Sequence, residues 1–303
     1  MAQGYAYPLF GRHADMPQLA GHHGIPDALV QQDALPSGLQ SALEQLPDDC
    51  TVIFSSENFA HLQSEQVRSL VRALGVENVD IIYYARNWDH LLPSVWHELI
   101  KHGLSQPYLE FLNHQTSAPL ASFYLNYKTV LDRWGKVTGA KRLRIFSYDN
   151  IRATGQDIVQ HFCNQVLGID LELTETRQEN SRYSVGYTET LRMLNWLAFG
   201  GKVGSPKIRM ALEQKHQKVQ EDLAVLEEIY APYICHARLC APFVFPYVEQ
   251  QVLKAYGHRV ENLTEDGRLF SDRRILTSPY VHPNYLLEEG VGTCLRNVFR
   301  AII

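Results

Sequence analysis

Between residues 51 and 102 the chain alternates twice between a short β-prone run and an amphipathic stretch, and this constrains the fold more than any other feature. Cys50-Thr51-Val52-Ile53-Phe54 reads as a buried strand that ends at Ser55-Ser56-Glu57. Phe59, Leu62, Val67, Leu70, Val71 and Leu74 follow at helical spacing, with Gly75 as a stop. Val79 to Tyr84 is the next strand. A helix is expected from Asp89 to His102, with Leu92, Val95, Trp96, Leu99 and Ile100 on one face and Gly103 after it. Pro93 is tolerable there only in or at the edge of the first turn, where few amide protons have a helical partner. Strand, helix, strand, helix is the pattern of a parallel sheet covered by helices, so an α/β fold is expected.

Further along, a helix is expected from about Ser122 to Thr138, a third strand at Leu143 to Phe146, and a helix from Asp157 to Leu167 that Gly168 ends. Beyond residue 186 the pattern turns helical, with segments at Tyr187 to Phe199 and about Ser205 to Tyr230 separated by Gly200, Gly201 and Gly204. Residues 1–37, rich in Gly, Pro and His, read mostly as loop with short helical pieces, and the last seventy residues show no strong period. The expected organisation is a single domain over 1–303, with an α/β part at 1–185 and a mainly helical part at 186–303.

The 303 residues suffice to bury a large core, and a composition 45% apolar and 20% charged is that of an ordinary globular chain. A net charge of −5 argues against broad binding to nucleic acid or to an anionic membrane surface. No apolar run approaches the ~18–20 residues needed to span a bilayer. No basic segment followed by an apolar core stands at the N-terminus, so no signal peptide is expected. Five scattered cysteines (Cys50, Cys163, Cys235, Cys240, Cys294) fit reduced thiols in the cytoplasm. Cys235 and Cys240 are the only near pair, and no neighbouring His/Cys set gives them zinc spacing.

Ligands of open parallel sheets bind beyond the carboxyl ends of the strands. Three such ends carry polar side chains here: Ser55-Ser56-Glu57, Arg86 followed by Ser94, and Ser147-Tyr148-Asp149. Arg86 offers a planar cationic fork suited to phosphate or sulfate oxygens. Ser94, eight residues on, adds a hydroxyl near the start of a helix, whose dipole also favours an anion. The plainer alternatives are an Arg86 paired with Asp89, a solvent-facing Ser94, a Glu57 that only serves a helix N-terminus and a Tyr148 that only packs. Functionally, Tyr148 is a flat surface for a purine. His22 or His23 is a general base unless each is simply a solvated loop histidine. Glu221, Asp222, Glu227 and Glu228 read as the wet face of a helix.

These segments resemble the sulfotransferases that use 3′-phosphoadenosine-5′-phosphosulfate (PAPS), most closely bacterial members acting on sugars or small molecules. Ile81 to Tyr84 with Arg86-Asn87-Trp88-Asp89 and Ser94 is similar to that family's 3′-phosphate segment. Val52 to Glu57 is similar to the strand whose end holds the catalytic base, and Arg144 to Asp149, followed by Asp157 to Gly168, to the strand and helix after which a tyrosine-acid pair sits near adenine. Gly4-Tyr5-Ala6-Tyr7-Pro8, and Asn262 with Gly267-Arg268-Leu269-Phe270, resemble segments near the two ends of the family. The resemblance implies a P-loop-type three-layer fold, with a short parallel sheet flanked by helices and a helical C-terminal half. The family's first strand and its Gly-rich, Lys-Ser/Thr loop for the 5′-phosphosulfate have no counterpart: none of Gly4, Gly11, Gly21 and Gly24 leads into such a pair. The chain is expected to begin just after that unit.

The resemblance further implies a transferase that moves a sulfuryl group from PAPS to a hydroxyl of a carbohydrate or small molecule. Glu57 would be the base and His22 or His23 would line the acceptor side. Arg86 and Ser94 would grip the 3′-phosphate, Tyr148 would lie at the adenine, and Ser55 and Ser56 beside the cofactor. The alternative is a catalytically impaired relative that binds a 3′-phosphoadenosine nucleotide or a partner. A glycosyltransferase or nucleotide kinase is disfavoured, because the chain has neither a phosphate loop nor an Asp-x-Asp metal motif.

Overall fold

A computed structural model describes every residue except 1–3, 13–20, 33, 48, 76–77, 173–182, 203, 239–243 and 271–276. The described chain is mixed α/β and mostly helical, with its strands gathered in three two-stranded pairs. It divides into two compact units, each built from three separate segments. The first is Met1–Tyr84, Tyr127–Phe146 and Lys254–Glu261; the second is Ala85–Asn126, Ser147–Leu253 and Asn262–Ile303.

In the first unit β1 (Tyr5–Ala6) is followed by α1 (Gly24–Gln32), α2 (Leu39–Glu44) and β2 (Thr51–Val52), and β1 and β2 pair in parallel. The ladder extends through Thr51 N–H to Gly4 O (2.7 Å) and Ile53 N–H to Ala6 O (2.8 Å). The expected buried strand at 50–54 is therefore corrected. Only Thr51 and Val52 are strand, Thr51 is exposed, and Val52 to Phe54 are half-buried, because a two-stranded ladder leaves one flank of each strand open. Glu57–His61 forms a single 3₁₀ turn capped by Ser56, and α3 (Ser64–Ala73) follows. A capping box opens α3: Gln63 N–H donates to Gln66 Oε1 (2.8 Å). Gly75, at φ +63°, stands just past its end.

Next in the chain are β3 (Ile81–Ala85), α4 (Trp88–Lys101), α5 (Tyr108–Ser117), α6 (Tyr127–Thr138) and β4 (Leu143–Ser147). β3 pairs with β4, and the last residue of each strand belongs to the second unit. α3 packs on α6, where Trp134 Nε1 donates to Phe59 O (3.2 Å) and the two rings meet edge to face. Ile145 O accepts the Glu261 amide (2.9 Å), which brings the distant segment Lys254–Glu261 into this unit. The expected helix at 122–138 starts only at Tyr127, because Ser122 caps a turn: its Oγ accepts the Leu125 amide (3.2 Å) and donates to Gln115 Oε1 (2.7 Å). Pro93 sits in the second turn of α4, beyond the position expected for it. It removes the bond that the Asp89 carbonyl would accept, and the helix persists with Trp88, Leu92, Pro93, Trp96 and Ile100 all buried.

The rest of the chain is α7 (Tyr148–Ala153), α8 (Ile158–His161), α9 (Val185–Phe199), α10 (Lys207–Gln214), α11 (His216–Tyr230), β5 (Ile234–Arg238), α12 (Val244–Tyr256), β6 (Thr277–Val281) and α13 (Val291–Ile302). α8 runs on as a π-helical turn at Phe162–Leu167. The single helix expected at 205–230 is broken at Lys215 (φ −105°, ψ 14°). There the ammonium bonds Ile302 O (3.1 Å) at the negative end of α13. β5 and β6 pair antiparallel, Ile234 opposite Val281.

The core of the second unit forms around α9, which packs against α4, α10, α11, α13 and β6. This helix also carries a buried ion pair. Arg192 Nε and Nη2 donate to the two carboxylate oxygens of Glu189 (2.8 and 2.6 Å), Arg192 Nη1 donates to Ser105 O (2.8 Å), and the Tyr285 hydroxyl donates to Glu189.

Candidate functional site

In the second unit the candidate grip is local. Asn87 caps α4, its Oδ1 accepting the Asp89 amide (3.2 Å), and fully buried Trp88 packs between the rings of Phe245 and Phe270 (5.7 and 5.2 Å). Arg86, just past β3, stands before that cap. Its Nη1 lies 3.5 Å from Ser94 Oγ, and its Cζ lies 5.6 Å from the centre of the Tyr148 ring. The three residues expected to meet the nucleotide, Arg86, Ser94 and Tyr148, thus converge, with a cationic fork, a hydroxyl and an aromatic face at one strand-to-helix turn.

The β4–α7 turn that presents Tyr148 is held rigidly. Ser147 is completely buried, and Asn262 clamps it from both sides, Oδ1 accepting the Ser147 amide (2.7 Å) and Nδ2 donating to the Ser147 carbonyl (3.0 Å). Asn150 Nδ2 donates to the carbonyls of Asn262 (2.9 Å) and Leu269 (3.2 Å). Glu249 Oε1 accepts the amides of Leu269 and Phe270 (2.7 and 3.3 Å). Asp149, next to Tyr148, accepts the Asn87 amide and lies 3.7 Å from His90 Nε2.

The remaining candidates lie in the first unit. Ser56 Oγ accepts the Asn58 amide (3.1 Å) and lies 2.9 Å from His23 Nδ1; the same nitrogen is 3.9 Å from Glu57 Oε2. Ser56, His23 and Glu57 are therefore brought together. The Glu57 side chain is 83% exposed, so the partial desolvation that suits a carboxylate to take a hydroxyl proton is not supplied by burial. Ser55 serves through its backbone: its amide donates to His22 Nδ1 (3.1 Å) and its carbonyl accepts the His22 amide (2.6 Å).

His22 differs from its expected role. It is fully buried, not a solvated loop residue, and both ring nitrogens are engaged, Nδ1 as acceptor and Nε2 as donor to Pro8 O (2.9 Å). Burial lowers its affinity for a proton below the ordinary histidine value. The ring packs edge-on against Tyr7 and Phe54 (4.4 and 5.1 Å) and ties together residues 8, 22 and 55, so it has no nitrogen with which to take a proton from a substrate. Of the two histidines, His23 is the one that stands beside Ser56 and Glu57.

Asn87, Asn150 and Asn262 were given no site role by the sequence, although Asn87 carries a helix-start signal just before the expected helix, and the sequence marks Asp149 only as one of the polar residues at a strand end. Among the described residues no group of three His, Cys, Asp or Glu side chains is arranged to hold a metal; Cys240 lies outside the described residues. No described helix is long and apolar enough to cross a membrane. Compared with protein-family models, with curated proteins and with solved structures, the chain matches none.

Proposed function

We propose that this chain is a sulfotransferase-type protein of P-loop-like architecture that binds the 3′-phosphoadenosine part of PAPS. One observation carries the reading: Arg86, Ser94 and Tyr148 converge at the strand-to-helix turn that opens α4. Arg86 and Ser94 grip the 3′-phosphate, and Tyr148 lies against the adenine. In the reaction proposed, an acceptor hydroxyl oxygen of a carbohydrate or small molecule attacks sulfur. The new O–S bond forms as the bond from sulfur to the phosphate oxygen breaks, and 3′-phosphoadenosine-5′-phosphate leaves. The hydroxyl proton passes to Glu57, with Ser56 and His23 beside it.

Calorimetry with 3′-phosphoadenosine-5′-phosphate tests the grip. Micromolar binding that R86A weakens at least about tenfold supports it, in line with the ~1.5–3 kcal/mol of a hydrogen bond to a charged group. No binding by the unaltered chain rejects it. Transfer of radiolabelled sulfate to a panel of sugars, abolished by E57Q with nucleotide binding kept, tests the enzymatic half. The exposure of Glu57 favours one second reading, a relative that keeps the nucleotide grip without turnover. Binding without transfer to any acceptor would establish it.

A further inference from the structure

The grip depends on how the β3–α4 turn is held. A helix start of the capping-box kind satisfies two backbone amides: the cap side chain takes one from the first turn, and an acidic or amide side chain at the third helical residue takes the amide of the cap itself. In α4 the first half is present, with Asn87 Oδ1 on the Asp89 amide. The third helical residue is His90, which cannot supply a carboxylate. The missing acceptor comes from 62 residues away: Asp149, in the first turn of α7, takes the Asn87 amide through Oδ2. Its other oxygen lies 3.7 Å from His90 Nε2, the side chain at the position where the capping acid would have been. The Asp149 side chain is only 13% exposed, so water competes little for this bond. Asp149 directly follows Tyr148, and Asn87 directly follows Arg86, so one hydrogen bond ties together the two backbones that carry the grip.

We infer that Asp149 is a positioning residue, a capping acid supplied in trans, which locks the β3–α4 turn in the conformation that lets Arg86, Ser94 and Tyr148 meet one anion. This deepens the nucleotide reading and, in its ligand arm, rests on it. The decisive experiment compares the full chain with its D149A and D149N variants by residue-resolved hydrogen exchange at the Asn87 amide, by thermal melting, and by calorimetry with 3′-phosphoadenosine-5′-phosphate. An asparagine side-chain oxygen still accepts an amide proton, whereas alanine has no acceptor.

In D149A the Asn87 amide is expected to exchange at least about tenfold faster and the nucleotide to bind about tenfold more weakly, as loss of a charge-assisted bond requires. In D149N, protection returns and affinity stays within about threefold of the unaltered chain. A merely structural role would lower the melting temperature in both variants without this rescue. Unchanged exchange at Asn87 in D149A overturns the proposal. So does D149N binding as weakly as D149A, or fast exchange with no loss of affinity. If the unaltered chain binds no nucleotide, the functional reading falls, and the exchange arm alone decides the lock.

Discussion

Replacing Glu189 by alanine should be the most damaging single polar substitution in the second unit, and its size follows from the geometry. The side chains of Glu189 and Arg192 are 6% and 8% exposed. The carboxylate satisfies Arg192 Nε and Nη2 and the Tyr285 hydroxyl. Its removal leaves a guanidinium that cannot shed its proton, held only by Ser105 O and a Met193 sulfur contact at 3.0 Å. Breaking a buried pair from one side costs about 3–5 kcal/mol. At about 2–4 °C per kcal/mol for a body of this size, melting should fall by roughly 6–20 °C. The assay is urea unfolding followed by tryptophan fluorescence in a W134F background, because Trp88, Trp96 and Trp196 then report on the second unit alone. The double variant E189L/R192M removes both charges together and should cost clearly less than E189A, the remaining loss coming from the Tyr285 hydroxyl and the Ser105 carbonyl that lose these partners. A loss below about 1 kcal/mol in E189A, or a double variant no better than the single one, would refute the account.

Three further outcomes are expected. His22 is held neutral by burial, so the unfolded chain takes up a proton near the ordinary value of 6.5 while the folded chain does not. Stability should therefore fall as pH drops through that region towards the lower folded value, and H22Q should flatten the fall in pH-dependent melting. Gly103, at φ +104°, would place a Cβ 2.5 Å from the backbone of Gly204 and Ser205, so G103A should cost about 3 kcal/mol by chemical denaturation. G75A, at φ +63° with open space around it, should cost about 1 kcal/mol. N262A loses both bonds to the Ser147 backbone and should cost about 1–3 kcal/mol; an unchanged denaturation midpoint would contradict the clamp.

What could be read from the sequence was local. Arg86 and Ser94 are eight residues apart, and a long arginine side chain standing before a helix can reach a hydroxyl in its second turn. The stops at Gly75, Gly103 and Gly168 all show positive φ, as their positions after periodic runs suggested. The bond between Asn87 and Asp149 spans 62 residues and the Asn262 clamp spans 115, and no period encodes either. The break at Lys215 was hidden because the apolar spacing of 205–230 continues through it, whereas the cause lies at the far end of another helix. His22 was misread for a similar reason. A histidine among glycines looks solvated until the strand end at Ser55 and the carbonyl of Pro8 close on its two nitrogens.

The interleaving of the two units has a consequence for synthesis. A ribosome releases the chain from its N-terminus, and domains commonly fold as they emerge. Here the first unit cannot be completed when residue 84 appears, nor at residue 146, because it still lacks Lys254–Glu261, whose Glu261 amide bonds Ile145. Its opening segment must wait while most of the second unit is made. No gene fragment ending before residue 261 encodes either unit whole, so a stop codon just short of that residue should leave neither unit intact, as an early one does.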